Sequence, residues 1–275
     1  MAMYYYIYWD ISPTIIDLGI LPIRWYGLLF TMGMIISYWI VQKQFKKARW
    51  SDDSFEMLTL YVLPGILLGM RLGHFLFYEP NAFLEYPLEV LLPFRFTPEL
   101  QFTGYQGLAS HGGAIGIFLA LWLFSRKHPA ISMWFVLDQL ALVTPLAGAF
   151  IRLGNLFNSE MIGYPTTLPW AFVFPSIDLL PRHPAQLYEA ICYLGIFLGL
   201  LLWQSRSKTP PAGRLFSLLL VLLFSARFVI EFFKVNQVAF EDQLVLNMGQ
   251  FLSLPFIVLG AALYHYRKRQ SIPAS

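Results

Sequence analysis

Long apolar runs dominate this sequence and leave few architectures open to it. A helix that crosses a bilayer needs about 20 apolar residues. Seven runs of that kind begin near Ile20, Met57, Leu108, Met133, Pro184, Leu215 and Leu244. Hydrophobic residues make up 57% of the chain and charged residues only 13%, about half the usual share of charged residues. We therefore expect an all-α polytopic membrane protein with about seven transmembrane helices, in which residues 1–275 form a single integral membrane domain.

The distribution of basic residues predicts an orientation. Most of the 19 lysines and arginines lie in four clusters that flank the runs. The clusters are at 43–49, 126–127, 206–214 and 267–269. With seven spans all four fall on one side, which the positive-inside rule makes cytoplasmic. We expect the N-terminus outside, the C-terminus in the cytoplasm, and outer-face loops at 79–107 and 164–183. The net charge of +3 therefore reports topology, and it does not indicate a nucleic-acid partner.

A second set of basic residues is not needed for topology and lies toward the predicted outer side. An arginine at membrane depth costs at least about 2.5 kcal/mol, so such residues are candidates for function. Guanidinium groups bind phosphate oxygens in a bidentate manner, which points to an anionic lipid head group. Alternatively, each residue extends to the interface or pairs with Glu79, Glu160 or Glu231. The set is Arg24, Arg71, Arg95, Arg152, Arg182, Arg227 and Lys234.

Three polar segments stand at the ends of the apolar runs. The first, at 152–160, combines Arg152 with two asparagines and Glu160. The second, at 110–116, joins His111 to glycines that let a helix or a substrate approach closely. His111 can take a proton near neutral pH, so it is a candidate base, although it can also be a hydrogen-bonding strut between helices.

The third segment opens the fifth span at 182–189, with Pro184 in the first turn of the helix. Tyr188 there is compatible with the aromatic belt of a membrane interface. Farther along, Arg227 and Glu231 are one helical turn apart. An (i, i+4) ion pair between them is the role we favour for Glu231.

Taken together, these segments resemble the prolipoprotein diacylglyceryl transferase family. The resemblance covers nearly the whole chain, in six ordered motifs at 23–27, 111–113, 152–163, 182–189, 227–233 and 248–253. It implies a bacterial cytoplasmic (inner) membrane enzyme with its active site toward the outer leaflet. It also implies phosphatidylglycerol as the lipid donor, the lipobox cysteine of prolipoproteins as the acceptor, and glycerol phosphate as the released product.

The resemblance implies roles for residues of this chain. A thiol of pKa about 8.5 needs a base or a positive field to react at neutral pH, and His111 is our candidate base. Arg152 and Arg227 would stabilise the charge on the departing phosphate. The other candidate substrate-binding residues are Asn155, Asn158, Glu160, Gly163, Tyr26, Arg71 and Arg24.

The chain also departs from the family pattern. Ile151 stands where a glycine usually precedes the signature arginine. Met161-Ile162-Gly163 stands where an aromatic residue and a glycine usually follow the signature glutamate, and the glycine is kept. The residues before His111 differ from the usual glycine-glycine-x-serine-phenylalanine, so substrate contacts there are expected to differ. Leu223 stands where many members carry a tyrosine, so a catalytic role for that tyrosine is not expected here.

Other functions fit the sequence less well. No metal-ligand spacing, phosphate loop or dinucleotide motif is present, so we expect no cofactor. Cys192 is the only cysteine, and we expect it to be packed inside the fifth span. Another phospholipid head-group transferase or phosphatase is the nearest alternative, and a transporter of an anionic solute is a more distant one. An intramembrane protease is disfavoured because Asp138 is alone as an aspartate inside a span.

If His111 is the base, His111→Gln will lower the rate of the chemical step by about 100-fold or more, because glutamine cannot accept the thiol proton. Single-turnover kinetics of purified protein in detergent would measure this rate. A near-normal rate in the variant would remove histidine from the mechanism and leave activation of the thiol by the arginines.

Overall fold

The computed structural model describes residues 6–17, 22–92, 94–96, 99–102, 107, 109–207, 211–236 and 244–270. Its helices are α1 (Trp25–Lys47), α2 (Asp52–Tyr78), α3 (Ala82–Glu85), α4 (Pro87–Leu91), α5 (Ser110–Lys127), α6 (Met133–Phe157), α7 (Ala185–Arg206), α8 (Arg214–Ile230) and α9 (Met248–Gln270), and a 3₁₀ turn, Glu231–Phe233, follows α8. The short strands are β1 (Ile7–Tyr8), β2 (Thr14–Asp17), β3 (Pro22–Arg24), β4 (Phe94–Arg95), β5 (Gln101–Phe102), β6 (Phe172–Val173) and β7 (Pro181–Arg182).

Six of the described helices are long and apolar enough to cross a membrane: α1, α2, α6, α7, α8 with its 3₁₀ turn, and α9. The chain is thus an all-α multi-pass membrane protein, as the sequence predicts. The remaining predicted run, which begins near Leu108 and is the third along the chain, corresponds to α5, which has 18 residues and is outside this set. Polar residues occupy both of its ends, and the roughly 14 residues between them rise only about 21 Å. The orientation of the termini and the loops at 79–107 and 164–183 stay predictions.

The chain divides into two compact units. Unit 1 comprises Met1–Val41 and Leu137–Ser275, and unit 2 comprises Gln42–Val136. The divisions fall within α1 and α6, so each of these two helices contributes to both units. That residues 1–275 form a single integral membrane domain stays a prediction.

In unit 2, α2 and α5 pack through glycines. Gly65, Gly69 and Gly73 recur every four residues and share one face of α2. A Cβ atom on Gly112 of α5 would overlap the carbonyl oxygen of Gly69, and one on Gly116 would overlap that of Gly65. The two backbones are therefore in direct contact, which is the small-residue packing that holds helices together in lipid. The close approach of a second helix, predicted from the glycines after His111, is confirmed.

In unit 1, the buried aspartate of α6 has a structural partner. Asp138 accepts hydrogen bonds from the backbone N–H groups of Gly213, at 2.7 Å, and Phe216, at 2.8 Å. These are N–H groups at the start of α8, where no preceding turn can accept them. Asp138 thus caps α8 from a neighbouring helix, which accounts for an aspartate inside a span. The apolar core beside it consists of Ala141, Leu142, Leu200, Leu215 and Leu219.

A small sheet in unit 1 leads the chain into α7. Strand β6 pairs in parallel with β1 and antiparallel with β7. Trp9, just after β1, donates its indole N–H to the carbonyl of Leu156 at 2.9 Å, near the end of α6. The side chains of Leu156, Phe172 and Phe174 form a buried cluster under the sheet. This sheet therefore ties the end of α6 to the start of α7.

A methyl group at the contact between α2 and α5 is expected to destabilise the protein. Gly112→Ala places its Cβ against the Gly69 carbonyl, and overpacking of this kind costs about 1–3 kcal/mol. Thermal unfolding in detergent should show a lower Tm. The matched control is Gly199→Ala in α7, where no atom lies within 4 Å of the added Cβ and where alanine gains helix propensity. Equal Tm values for the two variants would contradict this packing.

Candidate active site

The centre of the site is an ion pair between α6 and α7. Arg152 Nε lies 2.8 Å from Glu189 Oε2. The side chain of Arg152 is 16% exposed, whereas that of Glu189 is fully buried. Arg152 also donates from Nη1 to Asn155 Oδ1 at 3.2 Å and interacts electrostatically with the side chain of Tyr193. The guanidinium group is thus held from three directions, with a small part of its surface left accessible.

A turn after α6 presents the carboxylate of Glu160. Its Oε2 accepts a hydrogen bond from Asn155 Nδ2 at 3.2 Å, and its Oε1 accepts one from Asn158 Nδ2 at 2.6 Å. The neighbours Ser159 and Met161 have φ values of 54° and 57°, and a left-handed residue other than glycine costs about 1–3 kcal/mol. Glu160 itself is exposed. A strained turn therefore fixes an accessible carboxylate, which touches Arg152 only through Asn155.

Gly163 lies where three segments meet. Its N–H donates to the carbonyl of His183 at 2.9 Å, and its carbonyl accepts from Arg182 Nη1 at 3.2 Å. It also forms a backbone bridge with Lys234. A Cβ atom at this position would lie 2.5 Å from His183 Cβ and 2.6 Å from the Phe233 carbonyl oxygen. Only glycine fits here, so its place in the predicted site is explained by close packing of the backbone.

Lys234, which the sequence places among the basic residues not needed for topology but not among the site residues, is a buried cation. Its side chain is 2% exposed, and Nζ lies 3.1 Å from Glu231 Oε2 and 3.9 Å from Glu189 Oε1. The expected pair of Arg227 with Glu231 is wrong: among the described residues, Glu231 forms its ion pair with Lys234, which directly follows the 3₁₀ turn. The physical reason is that α8 ends at Ile230 and the chain tightens into a 3₁₀ turn. Its position three residues after Glu231 was the signal that could have identified Lys234.

Arg227 and Tyr26 lie near this network in unit 1. Arg227 is half-buried on α8 and interacts electrostatically with Tyr193, as Arg152 also does. Tyr26 is half-buried at the start of α1, and its ring packs on Gly154, where a Cβ would lie 2.8 Å from Tyr26 Cδ2. The structure therefore brings Arg152, Arg227 and Tyr26 together with Asn155, Asn158, Glu160 and Gly163.

The side chain of Arg71, in unit 2, is bonded to backbone carbonyls of a neighbouring helix. Its side chain is buried, with Nε donating to the carbonyl of Val90 at 3.0 Å and Nη2 donating to that of Glu89 at 2.5 Å. The guanidinium carbon also lies 4.6 Å from the centre of the Phe75 ring. The accepting carbonyls belong to the last residues of α4, which have no partner within that helix. Capping of α4 thus explains why an arginine is buried here, and substrate binding by Arg71 stays a prediction.

The other two predicted residues are exposed. Arg24 ends β3 and stands opposite Thr14 of β2 in unit 1. His111 is at the start of α5 in unit 2, with its ring 4.9 Å from the ring of Phe77 in an edge-on contact. The imidazole is therefore accessible from outside the protein. Its role as the base stays a prediction.

A second histidine belongs to a hydrogen-bonded relay in unit 1. Trp170 Nε1 donates to the hydroxyl oxygen of Tyr188 at 2.9 Å, and this oxygen lies 3.1 Å from His183 Nδ1. An indole nitrogen only donates, so the hydroxyl proton of Tyr188 remains to be donated to a neutral His183. Burial lowers the pKa of His183, in agreement with the neutral form. Tyr188, expected as an interface aromatic, orients this imidazole.

Cys192 corrects another expectation. It lies on the exposed face of α7 and is not packed inside the protein. A thiol is apolar enough to face acyl chains, so burial was not required. Within the described residues, no three histidine, cysteine, aspartate or glutamate side chains gather as metal ligands would.

Fold and site together define an integral membrane enzyme whose polar groups gather at the end of a spanning helix. A family model described as prolipoprotein diacylglyceryl transferase matches residues 13–266. The chain belongs to this family.

Relatives are similar over nearly their whole length. The phosphatidylglycerol–prolipoprotein diacylglyceryl transferase of Bacteroides fragilis is 45% identical over 268 residues, which cover 96% of each chain. Proteins of the same name from Tolumonas auensis and Chloroherpeton thalassium are 42% and 41% identical and match 94% and 97% of this chain. Each match covers 96% of the relative.

Gly163→Ala is expected to abolish activity, because the added Cβ forces apart the backbones of His183 and Phe233 and destabilises the loop by about 1–3 kcal/mol. Product formation and Tm should be measured on the same sample. Gly195→Ala in α7 is the control, since no atom lies within 4 Å of its Cβ. Full activity in Gly163→Ala would show that the loop has room for a side chain.

Proposed function

We propose that this protein transfers the diacylglyceryl group of phosphatidylglycerol to the cysteine thiol of a prolipoprotein lipobox and releases glycerol phosphate. This is the first step of lipoprotein maturation. The names of its relatives support both substrates. We place the reaction in the bacterial cytoplasmic membrane, with the site toward the outer leaflet, because the basic clusters favour that orientation.

The observation that carries the proposal is the partly accessible guanidinium of Arg152, held by a fully buried carboxylate near the end of a spanning helix. A fixed cation in a site of low dielectric constant stabilises developing negative charge without reorganisation, which is worth several kcal/mol. In the proposed reaction that charge grows on the phosphate of the leaving group. We assign Arg227, a second arginine of unit 1, to the stabilisation of the same phosphate charge.

We assign the glycerol head group to Glu160. A carboxylate accepts hydrogen bonds from hydroxyl groups, and both oxygens of Glu160 are already oriented by the amides of Asn155 and Asn158. Head groups that end in an ammonium group and lack hydroxyls would lose these bonds. Tyr26, Arg24 and Arg71 remain proposals for contacts with the donor lipid.

In the proposed reaction one bond to the glycerol carbon forms and one breaks, and no cofactor is required. The acceptor thiol loses its proton to a base, and the sulfur then forms a bond to the glycerol carbon that carries the phosphate. The bond from that carbon to the phosphate ester oxygen breaks, and its electron pair leaves with glycerol phosphate. His111 is the base that we propose. A thioether joins the diacylglyceryl group to the peptide.

The test is a reconstituted assay with phosphatidylglycerol and a lipobox peptide, in which the peptide mass and the released glycerol phosphate are both measured. We expect modified peptide and glycerol phosphate in equal amounts. Glycerol phosphate without modified peptide would indicate a hydrolase or another acceptor, and neither product from a folded sample would favour transport of an anionic solute.

In the same assay, Arg152→Ala is expected to abolish transfer, and Arg152→Lys to lower it by about 100-fold or more. Lysine keeps the charge but loses the fork that contacts Glu189 and Asn155 together. Normal turnover in Arg152→Lys would show that the geometry of the fork is not required.

A further inference from the structure

Beyond Arg152, the buried charges of unit 1 include two carboxylates and a second cation. Lys234 Nζ is 3.9 Å from Glu189 Oε1 and 3.1 Å from Glu231 Oε2, and Glu189 Oε2 is 2.8 Å from Arg152 Nε. Glu231 also interacts electrostatically with Arg152. The four charges sum to zero, and Arg152 has the most exposed side chain of the four.

The backbone around Lys234 fixes this arrangement. Lys234 bridges Gly163, the Val235 N–H donates to the Ile162 carbonyl at 3.2 Å, and the Tyr164 N–H donates to the Phe233 carbonyl at 2.9 Å. The loop after α6 is thus joined to the end of α8. An ammonium group that is 2% exposed on such a fixed segment has little freedom to leave the two carboxylates.

Without Lys234, this four-residue cluster would hold one cation, Arg152, against two buried carboxylates. The net charge of the three remaining side chains would then be −1, so the two carboxylates would outweigh the charge of Arg152. Charges interact strongly where water is excluded, so this loss is not screened by solvent. Lys234 balances one carboxylate, so that Arg152 is opposed by a single carboxylate instead of two.

We infer that Glu189 and Lys234 are positioning residues for Arg152: Glu189 orients the guanidinium group, and Lys234 prevents the two buried carboxylates from outweighing its positive charge toward a bound phosphate. The inference deepens the proposed function and rests on it. It assigns neither residue a contact with the substrate.

Two variants have different expected signatures. Lys234→Met should weaken the Kd for glycerol phosphate, measured by calorimetry in detergent, by about tenfold or more, which corresponds to ~1.4 kcal/mol. Glu189→Gln should leave this Kd no weaker, because it removes a negative charge, but should lower kcat by about tenfold or more because Arg152 loses its orientation.

A compensating variant separates electrostatics from packing. Lys234→Met combined with Glu231→Gln removes one charge of each sign, so the Kd should return to within about threefold of the wild-type value. Lys234→Arg should keep the wild-type Kd. Lys127→Met, which removes an exposed lysine of α5 in unit 2, is the control for loss of positive charge elsewhere. Tm is measured for every sample.

The outcomes separate the two claims. A wild-type protein that binds glycerol phosphate but transfers nothing to the peptide would overturn the proposed function. Wild-type transfer with an unchanged Kd in Lys234→Met would overturn the role of Lys234. A double variant that keeps its Tm but stays as weak as Lys234→Met would also overturn it. An unchanged kcat in Glu189→Gln would overturn the role of Glu189.

Discussion

The site depends on charge neutrality within an apolar bundle. Removing a carboxylate or a guanidinium group from water costs several kcal/mol per ion, and a partner at short distance offsets this cost only when the geometry is good. Arg152 on α6, Glu189 on α7 and Lys234 after α8 meet that condition only when the ends of the three helices lie close together. The charges therefore hold the site in one arrangement. Gly163 and Gly249 serve the same end, since a Cβ on Gly249 would lie 2.6 Å from the Glu231 carboxylate carbon.

The polar residues of the site differ in their exposure to solvent, and this difference indicates which of them can contact a substrate. Glu189 is fully buried, Arg152 is slightly exposed, and Glu160 is exposed. A buried carboxylate can only act on its neighbours, whereas an exposed carboxylate held by two amides can bind a hydroxyl group that arrives from outside. The strain at Ser159 and Met161 persists because the surrounding hydrogen bonds fix the turn, as is common at functional sites.

The sequence predicts features that depend on local pattern. The spans follow from the length of the hydrophobic runs. The polar stretch from Arg152 to Glu160 is unusual at the end of an apolar run, so it predicts a functional site. Features that depend on tertiary contacts were not predictable. Lys234 approaches Glu189 only because the end of α8 lies close to α7. The capping role of Arg71 requires carbonyls 18 to 21 residues farther along the chain, and no periodicity relates these positions.

The distinction between Arg152 and Arg71 follows from what each guanidinium group contacts. Arg71 donates to neutral carbonyls at the end of a short helix, which satisfies the unpaired acceptors of that helix. Arg152 faces charged carboxylates. The attraction of Arg152 for a phosphate therefore depends on the other cations that contact the same carboxylates, such as Lys234. A site that must bind an anion and then release it benefits from the second arrangement. A cation whose charge is partly offset attracts the phosphate strongly enough to stabilise the transition state but does not retain the product. Arg152 is such a cation, because it belongs to a buried cluster of four charges that sum to zero.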